Sequence, residues 1–117
     1  MLITMCKSKI HRARITGKNL NYSGSIGIDK ALLKASKILP NEKVQVVNLN
    51  NGARFETYCI EEKAGSGGIV LYGPAARLGE IDDIVIIICY GAMERPEAEK
   101  LRPRIVRVDK NNRPKKD

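Results

Sequence analysis

From Leu2 to Ile15 apolar and polar residues alternate, the period of a half-buried strand, so Lys7, Lys9, His11, Ala13 and Ile15 would share one face. The next stretch, NLNYSGSIG, is rich in Asn, Ser and Gly and predicts a turn or loop. Asp29 can cap a short helix in which Ala31, Leu32, Ala35, Ile38 and Leu39 form one apolar stripe, with Pro40 and Asn41 ending it. Two β-branched runs, Val44 to Leu49 and Phe55 to Glu61, flank Asn50-Asn51-Gly52 and predict a hairpin, with a type I′ turn at Asn-Gly. The glycine-rich AGSGG makes a further turn before a strand from Ile69 to Tyr72, and GPAARLG reads as a loop with at most one helical turn. Ile84 to Tyr90 is continuously apolar, which predicts a strand buried on both faces. A short helix near Pro96 to Leu101 and a strand from Ile105 to Val108 complete the series. Six short strands with two or three short helices argue for a mainly β fold, a small closed or nearly closed barrel that leaves no edge exposed.

Length fits one domain spanning residues 1–117, because 117 residues leave no room for a second core. The longest apolar run, Ile84 to Cys89, is far shorter than the ~18 residues of a membrane helix. Met1 to Lys9 is strand-like and basic, unlike a secretory signal, so the expected location is cytoplasmic with no membrane partner. The net charge of +8 has two sources: residues 1–25, with five Lys and Arg and no acid, and the basic C-terminal end, where about 110–117 reads as a flexible tail. Basic charge suggests nucleic acid, but one Phe, four Tyr and no Trp leave few platforms for stacking bases. Cys6, Cys59 and Cys89 are far apart, odd in number and set in apolar strands, which predicts buried reduced thiols. The single histidine, His11, cannot complete a Cys/His zinc cluster of ordinary spacing, so no metal is expected.

Common catalytic motifs are missing. There is no nucleotide-binding glycine loop after a strand, no HExxH and no nucleophile elbow, and AGSGG lacks the Lys-Ser/Thr of a phosphate loop. A triad built on His11 and a serine has no motif behind it. What stands out is a combination: KSKIHRARIT, Tyr22-Ser23-Gly24 followed by Ser25 and IGID, the hairpin NNGARFETY, and GPAARLG. In order and spacing, from Met5 to about Tyr90, these resemble the pyruvoyl-dependent aspartate 1-decarboxylases of pantothenate biosynthesis.

The resemblance implies a double-psi β-barrel assembled as a homotetramer, and self-cleavage between Gly24 and Ser25 into a β-chain of residues 1–24 and an α-chain of residues 25–117. Ser25 would become the covalent pyruvoyl cofactor, with no pyridoxal phosphate, and would form a Schiff base with L-aspartate, which loses CO₂ to give β-alanine. Glycine suits position 24 because a missing Cβ opens strained backbone angles. Thr57 matches the hydroxyl that steadies the carbonyl oxygen during processing, and Tyr58 matches the proton donor. Lys9 and Arg54 match positions that hold substrate carboxylates, where a guanidinium can bind bidentately. His11 lies on the Lys9 face and joins the expected substrate-binding residues together with Thr57 and the loop Gly73, Pro74 and Ala75. On a regular strand Thr57 and Tyr58 point to opposite faces, so a bulge or an active site shared between subunits is required; the latter is favoured. Two positions depart from the family pattern: Tyr72 stands where Asn is common, and Pro74, which has no backbone N–H, stands where Ala is usual. Whether a maturation factor assists cleavage stays open, as do two rivals: a small basic β-barrel that binds nucleic acid, and a family member that no longer processes itself.

Overall fold

A computed structural model describes residues 1–116. Eight strands, two helices, one 3-10 turn and short connections make up the described residues: β1 (Leu2–Arg14), β2 (Gly17–Asn19), β3 (Ser25–Asp29), α1 (Lys30–Ser36), β4 (Lys43–Asn48), β5 (Arg54–Glu62), β6 (Ile69–Tyr72), a 3-10 turn (Gly73–Arg77), β7 (Ile84–Glu94), α2 (Arg95–Lys100) and β8 (Arg104–Arg107). Two strands beyond the six expected are β2 and β3. β3 begins inside the Asn-, Ser- and Gly-rich stretch that had suggested a loop, and β2 overlaps that stretch only at Asn19. Tertiary pairing overrides that local preference, since all five residues of β3 are buried between β5 and β6.

The strand order is β2-β6-β3-β5-β4-β7-β1-β8, with parallel pairs β1–β8, β2–β6 and β3–β5 among antiparallel ones. β1 lies near one end of this order, and its direct continuation, β2, opens the other. Thr16 makes the join, donating its N–H to the Ile69 carbonyl at 2.8 Å and accepting from the Ile69 N–H on its hydroxyl at 2.9 Å. The sheet therefore wraps on itself, an arrangement compatible with a double-psi β-barrel. Its interior holds Ile10, Ile15, Ile26, Ile28, Val46 and Ile87, each fully buried, and each such side chain contributes about 1.5–3 kcal/mol on burial.

Several local expectations need correction. The first helix stops at Ser36, not at Pro40, because Lys37 adopts a left-handed conformation (φ 59°) and the Ile38 N–H closes onto the Leu33 carbonyl at 3.0 Å. Asp29 does cap it, accepting from the Ala31 N–H at 2.8 Å, but Leu39 is 69% exposed and outside the stripe. The β4–β5 hairpin forms, yet its loop runs over residues 49–52 with only Gly52 at positive φ, so it is not a two-residue type I′ turn. Side chains of Asn48 and Asn51 take the N–H groups of Asn50 and Ala53, each at 2.8 Å, and stabilise the longer loop. In β7 burial alternates: Val85, Ile87 and Cys89 face the core, while Ile84, Ile86 and Ile88 are half-buried on the outside.

The C-terminal segment, expected as a solvated tail, folds back as far as it is described; Asp117 lies outside the described residues. Asn112 is buried and forms a three-way clasp, accepting from the Arg14 N–H at 2.8 Å and donating to the carbonyls of Arg14 (2.7 Å) and Gly67 (2.8 Å). Composition missed it because one buried amide among charged neighbours looks like any polar residue. Cys59 and Cys89 are buried free thiols and Cys6 is half-buried; burial pushes the Cys89 thiol up to about 12. No helix among the described residues is long and apolar enough to cross a membrane.

Candidate active site

The loop from Asn19 enters β3 through two residues in unusual backbone conformations, Gly24 at φ 117° and Ser25 at φ 148°. For a residue with a side chain such an angle is strained, and strain of this kind costs of order 1–3 kcal/mol. Ser25 is 1% exposed, and its hydroxyl is buried without a hydrogen-bond partner. A buried hydroxyl left unpaired forfeits roughly 1–3 kcal/mol, so strain and desolvation converge on the Gly24–Ser25 linkage.

A cavity of about 280 Å³ opens over this linkage, lined by Gly24, Ser25, Thr57, Tyr58, Pro74 and Ala75 among others. β5 supplies Thr57 and Tyr58, and the 3-10 turn supplies Pro74 and Ala75. The β4–β5 register is unbroken through Thr57 and Tyr58, so no bulge brings the two together. Thr57 is half-buried and Tyr58 is 41% exposed, and both line the cavity of a single chain, so neither the bulge nor a second subunit expected from the alternation is needed to bring them to it. Gly73 is not a wall of the cavity but braces it. It sits at φ 66°, and a Cβ there would lie 2.7 Å from the Tyr22 carbonyl oxygen and 2.8 Å from both Cα and N of Gly24.

Tyr72 is the part of this cavity that local pattern did not anticipate in structural detail. It pairs with Ser25 across β3–β6 and lines the same cavity. Its phenol donates to Glu62 Oε2 at 2.9 Å, and its ring lies 4.6 Å from that of Tyr22, tilted by 40°. Burial and the Glu62 carboxylate raise the Tyr72 phenol to about 12. The side chain standing in place of an amide is thus a neutral, immobilised donor already committed to Glu62. Nothing in the sequence pointed to Glu62, whose spacing from Tyr72 carries no signal until β5 and β6 flank β3.

Three expected site residues are not brought to this cavity within one chain. Lys9 lies on β1, separated from β3 by β5, β4 and β7 in the strand order. Arg54 is on β5 but exposed, its guanidinium donating to Gln45 Oε1 at 2.8 Å. His11 lines a different cleft, with Arg12, Arg14 and Arg107. The first two share an outward position on strands whose side chains alternate, which is why neither points where Ser25 does.

A sequence model of the aspartate decarboxylase family matches residues 1–115. The aspartate 1-decarboxylase of Thermoanaerobacter pseudethanolicus is 58% identical over 110 residues, covering 94% of each chain. The proteins of the same name from Carboxydothermus hydrogenoformans and Pelotomaculum thermopropionicum are 61% and 60% identical over 113 residues, each covering 97% of this chain and 89% and 86% of the relative. With agreement of this depth along nearly its whole length, the chain belongs to the aspartate decarboxylase family.

Proposed function

We propose that this chain cleaves itself between Gly24 and Ser25 and then decarboxylates L-aspartate to β-alanine and CO₂, in service of pantothenate biosynthesis. The observation that carries the reading is the buried, unpartnered Ser25 hydroxyl following a positive-φ glycine inside a cavity with Thr57 and Tyr58. In the first step Ser25 Oγ attacks the Gly24 carbonyl carbon, its proton passes to the amide nitrogen, and the peptide becomes an ester. No hydrogen bond has to be broken to free the nucleophile, and collapse of the strained linkage relieves φ at both residues. Thr57 faces the same cavity and is suited to donate its hydroxyl to the carbonyl oxygen as negative charge builds there. Gly73 and the Tyr22–Tyr72 contact hold the cleaved segment in register.

A pyruvoyl group derived from Ser25 would supply an electrophilic carbonyl and an electron sink for loss of the α-carboxylate. The surroundings fit such a group: it is small and uncharged, and Ser25, from which it would derive, is itself buried at the start of β3. Tyr58, which lines the same cavity, would return a proton to the substrate carbon. Binding a dicarboxylate needs fixed cations, and within one chain Lys9 and Arg54 do not reach the cavity. They serve the cavity of a neighbouring subunit in a homotetramer. The half-buried outward row of Val47, Ile86 and Ile88 supports this, because apolar side chains on adjacent β4 and β7 form a face suited to association.

Intact-mass spectrometry of the purified chain tests the proposal. Two fragments divided at Gly24/Ser25, the larger gaining the mass of reduced aspartate with borohydride, together with CO₂ release from aspartate, are the expected result. A chain that keeps its full mass on prolonged incubation and releases no CO₂ would overturn it.

A further inference from the structure

The basic charge of the N-terminal segment is not consumed by the Ser25 cavity. Two of its five cations, Arg12 and Arg14, lie instead on a cleft of about 400 Å³ whose walls also include His11, Arg107, Lys110 and Lys115. Three separate elements build it. A bulge in β1 between Ile10 and Ala13 forces Arg12 to φ 66°, so its side chain leaves the strand's regular alternation. β8 runs parallel to β1 and sets Arg107 directly beside His11. The C-terminal segment closes the third side, fastened by the Asn112 clasp and by the Lys115 N–H donating to the Arg107 carbonyl at 2.7 Å.

The charges in this cleft are not balanced from within. Arg14 pairs with Asp82 and donates to the Lys110 carbonyl at 3.2 Å, so it is occupied in holding the wall. Asp109, the acid of the lining, accepts the N–H groups of Asn111 (2.8 Å) and Arg113 (3.0 Å) and is turned into its own loop. Among the described residues no carboxylate lies within ion-pair distance of Arg12, Arg107, Lys110 or Lys115. Like charges set side by side across a ladder are destabilising, and a positive φ at a non-glycine adds strain that a fold retains where it has a use.

We propose that this cleft binds a small phosphate-bearing anion, of the size and charge of a diphosphate. Two guanidiniums and two ammoniums converging on one concave space match the charge and acceptor geometry of such a group, and Arg binds phosphate bidentately. The cations are gathered on one cleft of about 400 Å³, not strung along the extended basic stripe that tracks a nucleic-acid backbone. Within one chain the cleft shares no wall with the Ser25 cavity, so competition by aspartate is a direct test of whether its occupant is the amino-acid substrate.

His11 makes the test direct, because it is the chain's only histidine. Burial and the charges of Arg107, Lys9 and Arg12 hold its imidazole below the usual range. Calorimetric titration of the intact protein with inorganic diphosphate should show one site per chain. NMR of the His11 ring should show its titration moving up by about half a unit or more on binding, as a nearby anion requires. Arg12→Gln with Lys110→Gln should weaken binding about tenfold or more, whereas Lys34→Gln, on α1, should not change it. Saturating aspartate should leave the affinity unchanged. Absence of binding, binding that leaves His11 unmoved, displacement by aspartate, or tighter binding of a short DNA duplex than of diphosphate would each overturn the assignment. Because binding is read without turnover, the outcome is independent of whether the chain cleaves itself.

Discussion

Gly73→Ala separates two causes that converge on the cleavage site. The added methyl would sit 2.7–2.8 Å from three backbone atoms, the Tyr22 carbonyl oxygen and the Cα and N of Gly24, none of which can swing aside as a side-chain tip can. Left-handed φ costs an alanine about 1–2 kcal/mol, and crowding against packed backbone adds about 1–3 kcal/mol. A loss near 3 kcal/mol, at about 4 °C per kcal/mol for a domain of this size, predicts a drop of roughly 10 °C in Tm. Gly52→Ala is the matched control: it has the same sign of φ (75°) but nothing within 4 Å of the new methyl, so it should lose only the backbone share, about 1 kcal/mol. Displacement of Gly24 should also slow self-cleavage at least about tenfold, since misplacing reacting atoms by 1 Å costs ~10²-fold, while the hairpin variant cleaves normally. Thermal unfolding and a time course of intact mass give both readouts. If Gly73→Ala unfolded no earlier than Gly52→Ala and cleaved at the parental rate, Gly73 would not be bracing the linkage.

Ser25→Ala should stay at full mass and release no CO₂, yet unfold at the same temperature or slightly above it, because the hydroxyl removed has no partner to lose; a lower Tm would mean that the hydroxyl is bonded after all. The raised phenol of Tyr72 gives a pH signature. Its folded value near 12 exceeds the reference value of 10, so its contribution to stability is complete below pH 10 and is lost as pH rises toward 12. Tyr72→Phe lacks this dependence, so the stability difference between parent and variant should shrink across that window; a constant difference in alkaline unfolding curves would contradict the Glu62 bond. Asn112→Ala leaves three backbone groups of Arg14 and Gly67 without their partner and should cost about 2–4 kcal/mol in urea unfolding, against no measurable loss if the segment were a free tail. Ile86→Glu, on the outward face of β7, should dissociate the proposed tetramer in analytical ultracentrifugation, with cleavage retained and turnover lost; a parental chain that sediments as a monomer, or full turnover by a monomeric variant, would remove the shared-site argument.

The mainly β character and most strand positions were legible because β-branched alternation is a local property. β3 was not, since its burial depends on β5 and β6 arriving from 30 or more residues downstream, and Ser25 and Gly27 carry no strand preference of their own. Within the site, Gly24, Ser25, Thr57, Tyr58, Pro74 and Ala75 were readable from the family resemblance and do meet in one cavity. The Glu62–Tyr72–Tyr22 contacts were not, because each pair becomes adjacent only through the wrapped sheet. Asn112 shows the same limit: a single amide anchors the C-terminal segment, and no periodicity announces it.

Placement of the cations follows from what each step demands. Self-cleavage requires strain and a desolvated hydroxyl, which a single packed chain supplies through β3, Gly24 and Gly73. Carboxylate recognition requires positive charge, and a lysine or arginine buried beside Ser25 in the unassembled chain would stand unpaired at a cost of several kcal/mol. Setting Lys9 and Arg54 on outward faces keeps them solvated in the single chain; in the proposed shared site, association would bring another subunit's cavity over them. The acidic substrate would then replace the lost water as their partner. On that proposal the precursor folds without an uncompensated buried charge, and a division of the site between subunits would be a consequence of electrostatics before it is one of symmetry.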